Sequence, residues 1–405
     1  MKFNIYSHLE VMTVIFVRSI SAFSSLLLSY VALRILNPSD FGIFTFSISF
    51  VTFLSIFLRF GLDRYLLKIV LCKKYYDYPI QVFFKILATW FWLQLFLLPL
   101  SFLMIYQIPY FSIVEPFIFE LLTMASCFSI VLVLADYLRA KISVSLGLFV
   151  SGIILPTATF IYIFLVSEPA LKHIFNVYTI TALITIFVII AFILLSNNKN
   201  ILYRVKIHIA WSELFNLFVN ALCSVGMVHI PILILGLIGA PEDIALFQKC
   251  FLLSMVIGSL NLVLQSVYEP RFARAAGSVE NISPNKVFDN SLKLSLSLIF
   301  FGSITAIVIF YNDIFIQFQP EDFWICICLC LGHCINLLAS RYKCYFMMTR
   351  SSIIRNVSLS TLLVLCLTII YFFYFYMVLG AAIAYLISVL FKFGIYNYHY
   401  RKIAI

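Results

Sequence analysis

The sequence predicts an all-α polytopic membrane protein of twelve transmembrane helices in two six-helix lobes, residues 1–195 and 211–405, joined by a cytoplasmic linker at 196–210. Three observations carry that prediction. Hydrophobic residues make up 63% of the 405-residue chain, charged residues only 11%, and mean hydropathy is +1.08, a composition that excludes a water-soluble globule. The apolar residues gather into twelve runs, each near the roughly 20 residues that a helix needs to cross a bilayer core. The basic residues concentrate at alternate loops, which reads as membrane orientation.

The runs lie at 11–36, 41–62, 80–106, 116–138, 142–166 and 174–195 in the first half, and at 211–239, 243–268, 291–311, 322–343, 353–375 and 378–398 in the second. Lys2 precedes the first run, but that run contains Arg18, exceeds signal-peptide length and lacks a small-residue cleavage site. It reads as an uncleaved first helix. With both termini cytoplasmic, 22 of the 27 Lys and Arg lie in segments assigned to the inside. The outer turns are acidic or neutral, with Glu115, Glu168, Glu242, Asp243, Asp313, Glu321 and Asp322. Because the net charge of +10 is dispersed over short loops, it reports topology and not nucleic-acid binding. The ten cysteines lie mostly inside apolar runs and behave as small packing residues, not as a disulfide framework. The segment 269–290, with Pro270, Gly277 and Pro284, is expected to hold a short surface helix.

One stretch organises the chain. LRILNPSDFGIF, residues 33–44, ends one apolar run, turns within a few residues and starts another; ILGLIGAPEDIALF, residues 234–247, does the same. Pro38 and Pro241, Asp40 and Asp243, and Phe44 and Phe247 fall in register, 203 residues apart. A Pro in the first turn gives up an amide that would be unpaired anyway, and a carboxylate there suits the positive end of the helix dipole. A spacing close to half the chain predicts two repeats of the same orientation, related by an axis along the membrane normal.

These residues also carry a resemblance. The block from Arg18 through RILNPSDFG to FGLDRYLLK at 60–68 resembles the start of the bacterial polysaccharide transporters that flip lipid-linked oligosaccharides. That O-antigen flippase family belongs to the multidrug/oligosaccharidyl-lipid/polysaccharide (MOP) exporter superfamily, with the lipid II flippase and the multidrug and toxin extruders (MATE). The specific motif lies in the first 70 residues, and the second repeat departs from it at Ala245, where the first has Gly42. The resemblance implies a MATE-like fold in the bacterial inner membrane. It also implies a cargo, an undecaprenyl-pyrophosphate-linked oligosaccharide moved from the cytoplasmic to the periplasmic leaflet for O-antigen, lipopolysaccharide or another surface polysaccharide. Implied partners are membrane lipid, a polysaccharide polymerase, a chain-length regulator and a coupling cation, proton or sodium. No cofactor is expected.

Ionisable groups inside apolar helices are costly and tend to face a cavity or a partner. At about 100° per residue, Arg18 shares a stripe with Ser21, Ala22, Ser25 and Ser29, as expected of a lumen wall. The second span aligns Thr45, Ser49, Thr52, Arg59 and Asp63, where Arg59 and Asp63 at i, i+4 can also pair with each other. A buried carboxylate can take up a proton in one conformation and release it in another, which makes Asp63 and Glu120 coupling candidates. The tenth span aligns Cys326, His333, Asn336 and Ser340. A metal site within CICLCLGHC is not expected, since alternate helix residues point to different faces; His333 reads as a cavity hydrogen-bonder or proton carrier. Lys249 falls off the stripe Ser254, Gly258, Asn261 and Gln265 and is expected to reach for the outer surface. Ala221 and Leu262 stand where the first repeat has Arg18 and Arg59, so an anion site would lie mainly in the N-terminal lobe.

The candidate substrate-binding residues are thus Arg18, Arg59, Ser25, His333 and Asn336. Under the resemblance, Arg18 and then Arg59 would hold the pyrophosphate through charge-assisted hydrogen bonds, with rocking lobes giving alternating access. Two other classes compete. An ion-coupled drug/cation antiporter of the same fold would favour acidic cavity residues. A membrane-embedded polysaccharide polymerase or glycosyltransferase would need a sizeable outer loop, and every outer loop here is short, so the chain is not expected to be an enzyme.

Overall fold

Backbone groups in a bilayer core must find their hydrogen bonds within the same segment, which leaves the helix as the element for chains of this composition. The computed structural model describes residues 5–70, 79–107, 115–166, 169–196, 209–276, 284–311, 318–320, 322–349 and 351–404, and these are helical almost throughout. The first half contains α1 (Ile5–Ile35), α2 (Pro38–Arg59), α3 (Leu62–Val70), α4 (Pro79–Gln107), α5 (Ile118–Lys141), α6 (Val144–Gly152), α7 (Ile154–Leu165) and α8 (Leu171–Ser196). The second half contains α9 (Trp211–Ile238), α10 (Pro241–Ala276), α11 (Pro284–Tyr311), α12 (Asp322–Thr349) and α13 (Ser351–Ala404).

Among the described residues, eleven helical stretches are long and apolar enough to span a membrane, and the last runs 50 residues, Ile353–Lys402. At 1.5 Å per residue such a stretch would measure about 75 Å, more than twice a hydrocarbon core of about 30 Å. It holds two crossings. Met377 has φ 48° and ψ −126°, outside helical geometry, and a Cβ on Gly380 would meet the Phe372 carbonyl oxygen. Residues eight apart on a straight helix are separated by about 12 Å, so the chain folds back at Met377. This gives twelve spans, the fifth made of α6 and α7 with a break at Ile153.

Both halves begin their second span with a side-chain cap. At α2, Asn37 Oδ1 accepts from Asp40 N at 2.7 Å while Asp40 Oδ2 accepts from Asn37 Nδ2 at 2.8 Å. At α10, Asp243 Oδ2 accepts from Ala240 N at 2.9 Å. The Asn37 amide oxygen in one and the Asp243 carboxylate in the other thus satisfy a backbone amide that the first turn leaves orphaned. The segment after the eighth span differs from expectation: α10 continues without interruption to Ala276, and 277–283 lie outside the described residues.

The chain divides into two compact units, Met1–Leu222 and Cys223–Ile405. The boundary between these units falls inside α9, and residues 197–208 of the linker lie outside the described residues. The first turns of α9 sit on the corner between α2 and α3, where Phe60 stacks on Phe218 at 4.6 Å and the Tyr65 hydroxyl accepts from Ala210 N at 2.8 Å. Gly61 has φ +78°, and a Cβ there would stand 2.9 Å from both Leu214 O and Phe218 N. Only glycine allows that turn and that approach.

In the first unit α5 is the hub, packed on α2, α3, α6 and α8, with Leu121, Val131, Leu134 and Tyr137 buried. In the second, α12 lies against α10, α11 and α13. One end of that unit is filled by rings, with Tyr268, Phe272, Phe288, Tyr342, Tyr345, Phe346 and Tyr396 all buried.

Candidate functional site

The corner that Gly61 permits ends α2 at Arg59 and starts α3 at Leu62, so Asp63 belongs to the next helix and not to the stripe of the second span. The turn still brings the two charges together: Arg59 Nε lies 3.2 Å from Asp63 Oδ2, with both side chains buried. Neither Arg59 Nε nor Asp63 Oδ1 has a hydrogen-bond partner among the described residues. A second pair lies close by. At the end of α5, Arg139 Nη1 donates to Asp136 Oδ1 at 2.6 Å and Arg139 Nη2 donates to Ser151 Oγ of α6 at 2.7 Å. Asp136 is 3% exposed.

The two pairs belong to one electrostatic cluster. Asp136 interacts with Arg139, Asp63, Arg64 and Arg59, and Arg139 with Asp136, Arg64, Arg18 and Asp63. Arg59 and Arg64 thus lie within electrostatic range of Asp136, and Arg64 and Arg18, the latter midway along α1, within range of Arg139. Close helix packing holds the arrangement, since a Cβ on Gly147 would meet Arg139 Cγ and the Ala135 carbonyl, and a Cβ on Gly152 would meet Ser21 Oγ. Removing these glycines would lift α6 from α5 and from α1, the helix of Arg18.

The structure places the remaining candidates as follows. Arg18 is half-buried, and Ser25 is exposed on α1 and donates to Ser21 O at 3.2 Å. Glu120 pairs with Lys172 at 3.3 Å, and the lysine side chain is 62% exposed; an exposed pair of this kind contributes about 0–1 kcal/mol. His333 and Asn336 lie in the second unit. His333 is 4% exposed between the rings of Phe251 and Tyr385, with Tyr385 Oη 3.4 Å from Nδ1. Asn336 Oδ1 accepts from Lys392 Nζ at 2.9 Å. Lys249 does not reach for the surface: it donates to Asp322 Oδ2 at 2.6 Å across α10 and α12, because the Asp322 carboxylate caps its own helix and is fixed within reach.

The sequence reading missed Asp136, Arg139, Ser151 and Lys392. Asp136 and Arg139 are spaced i, i+3 at the end of a span, where a charge pair reads as a loop boundary; the glycines opposite were the available signal. Among the described residues no group of three His, Cys, Asp or Glu is arranged to hold a metal. An open groove of about 630 Å³ beside Pro99 is lined mainly by apolar side chains, and the hydroxyls of Thr123 and Ser126 on its wall bond to Phe119 O and Gln94 Oε1.

No protein-family model matches the chain, and no curated protein matches it in sequence. Solved structures do match. A eukaryotic MATE transporter, AtDTX14, has TM-score 0.64 at 16% identity, over 96% of this chain and 95% of that one. An inward-facing multidrug resistance MATE transporter of the MOP superfamily has TM-score 0.67 at 12% identity, over 96% and 98%. The lipid II flippase MurJ in an inward closed conformation has TM-score 0.54 at 15% identity, over 97% and 87%. The chain shares the MATE fold.

Proposed function

We propose that this chain is a flippase that moves an undecaprenyl-pyrophosphate-linked oligosaccharide from the cytoplasmic to the periplasmic leaflet of a bacterial inner membrane. The observation that supports the reading is the grouping of Arg18, Arg59, Arg64 and Arg139 about Asp63 and Asp136 in the first unit. A pyrophosphate is the anion such a group receives through charge-assisted, bidentate bonds. Arg18 and Arg59 are its first contacts, with Ser25 beside the path. The fold shared with MurJ supports a lipid-linked cargo. The glycan would cross through the polar path while the isoprenoid stays in lipid, as residues 1–195 and 211–405 rock as lobes about a linker, with both termini cytoplasmic. A polymerase and a chain-length regulator would receive the product.

Arg18→Ala should abolish surface polysaccharide in a host lacking its own copy, with the protein still in the membrane, while Arg18→Lys retains part. Normal polysaccharide in the alanine variant removes Arg18 from the site and this reading with it. A second reading, a drug/cation antiporter, is favoured by the higher TM-scores of the MATE structures, 0.64 and 0.67 against 0.54. It predicts that resistance to cationic drugs, and not polysaccharide, is lost.

A further inference from the structure

The second unit buries a cation that no carboxylate meets. Arg341, on α12, is 9% exposed and belongs to none of the ion pairs among the described residues. A guanidinium has five N–H donors. Among the described residues this one makes a single hydrogen bond, Nη2 donating to Tyr342 Oη at 3.2 Å, while Nε is buried and has no partner. Its Cζ lies 4.4 Å from the centre of the Phe288 ring and 4.8 Å from that of Tyr342, close enough for cation–π attraction. Tyr400, near the end of α13, stacks on Phe288 at 4.2 Å and lies 5.6 Å from Tyr342, so α11, α12 and α13 all contribute to the wall. Asp289 of α11, like Arg341, is within electrostatic range of the Tyr400 hydroxyl, but it is exposed and makes no ion pair with the arginine.

Depth in the membrane says what completes it. α12 starts at Asp322, whose carboxylate caps it, and Arg341 follows nineteen residues later, about 28 Å along the axis and so about one hydrocarbon thickness away. On the neighbouring span the chain turns back at Met377, and Tyr400 follows 23 residues later, about 35 Å along the axis. Both residues therefore reach the boundary between hydrocarbon and water at the end of the unit where α13 finishes. The last turn there adds Arg401 and Lys402, both exposed. Carbonyls left open at a helix end account for those two. They do not account for Arg341, which lies eight residues before the end of α12.

We propose that Arg341 receives the phosphodiester of an anionic phospholipid from the adjoining leaflet, with Arg401 and Lys402 on the water side of the headgroup. Any cargo is compatible with such a site, since only the membrane placement enters. A buried charge is costly unless it is paired and hydrogen-bonded. The rings offset part of that cost, but they accept none of the in-plane N–H groups. A phosphate does, because the guanidinium fork matches two of its oxygens at once, and basic pockets between spans at this depth suit anionic headgroups. The lipid brings its own apolar tail. From Asp289 and Lys293 the exposed face of α11 continues at three- and four-residue spacing through Leu296, Phe300 and Ile304, a track that a free phosphate has no use for. An ethanolamine headgroup carries its own ammonium, which Arg401 and Lys402 repel.

Native mass spectrometry of the full chain released from detergent micelles, titrated with phosphatidylglycerol, counts individual lipid adducts and gives the affinity of the tightest. The wild type should hold one phosphatidylglycerol about tenfold or more tighter than phosphatidylethanolamine, and Arg341→Gln should weaken that step by a similar factor, as expected for a hydrogen bond to a charged group. Arg341→Lys keeps the charge but loses the fork and should fall between. Arg401→Gln with Lys402→Gln leaves the buried arginine in place and should weaken binding by about fivefold for each charge. Lys172→Gln, which removes an exposed cation of the first unit, should leave the affinity unchanged, and soluble glycerol phosphate should not displace the lipid. Four results overturn the proposal: equal affinity in wild type and Arg341→Gln, no preference for phosphatidylglycerol over phosphatidylethanolamine, a loss in Lys172→Gln as large as that in Arg341→Gln, or displacement by glycerol phosphate, which would mark a site for a free phosphate. Should Arg341→Gln fail to fold, as its far-UV circular dichroism would show, the double variant decides. Weaker binding there supports the proposal, and unchanged affinity refutes it.

Discussion

If the Asp136–Arg139 pair is the keystone of the guanidinium cluster, its two members should be strongly non-additive. Arg139→Gln leaves the Asp136 carboxylate, 3% exposed, without the donor at 2.6 Å, and also removes the bond at 2.7 Å to Ser151. Breaking a buried ion pair from one side costs about 3–5 kcal/mol; Arg59 and Arg64 stand near enough to Asp136 to hold the loss toward the lower end. Asp136→Asn strands the guanidinium and should cost a similar amount. The double variant buries two amides of nearly the same shape. It loses the difference between charged and neutral hydrogen bonds, about 1–2 kcal/mol. The coupling energy is then at least about 3 kcal/mol, well above the roughly 0.5 kcal/mol seen for independent sites. Equilibrium unfolding of the four proteins in mixed micelles with increasing sodium dodecyl sulphate measures it. Two single losses that sum to the double loss would show that the pair is not buried as described and that Asp136 does not anchor the guanidinium cluster.

Gly152→Val should separate α6 from α1, because even its Cβ would collide with Ser21 Oγ; the expected result is loss of polysaccharide export, with partial recovery in a Ser21→Ala background. On a cysteine-free chain, a cysteine at Glu242 should react with a membrane-impermeant maleimide from the periplasm and one at Lys141 only after the membrane is opened, and the reverse pattern would invert the topology. Lys249→Met should destabilise by about 3 kcal/mol or more, since it strands Asp322 with a side chain only 4% exposed, whereas Lys249→Met with Asp322→Asn should recover much of that in the same unfolding assay.

The spans were legible because their signal is one-dimensional: a run of apolar residues and the sign of the charge beside it suffice. The caps at Pro38 and Pro241 were legible for the same reason, since an N-cap and its first-turn carboxylate are three residues apart. What failed was any inference about where a helix stops within a run. The stripe from Thr45 to Asp63 assumed one continuous helix, but Phe60 at φ 45° and Gly61 at φ 78° end it. Nothing in the local hydropathy marks that turn. The backbone of α9, some 150 residues later, approaches Gly61 so closely that a Cβ would not fit there.

The site was legible only as single charges. Arg18, Arg59 and Asp63 stand out because each is ionisable in an apolar run, but their meaning depends on what faces them from other helices, and a sequence read one helix at a time contains no such pairs. Lys249 shows the consequence: its position off the polar stripe of α10 implied a surface residue, yet that face meets Asp322 of α12. The same step decides the first unit: Arg59 with Asp63, and Asp136 with Arg139, are each legible as local pairs, but that the two pairs lie within electrostatic range of one another is set by the corner at Gly61 and by α6 resting on α5 at Gly147.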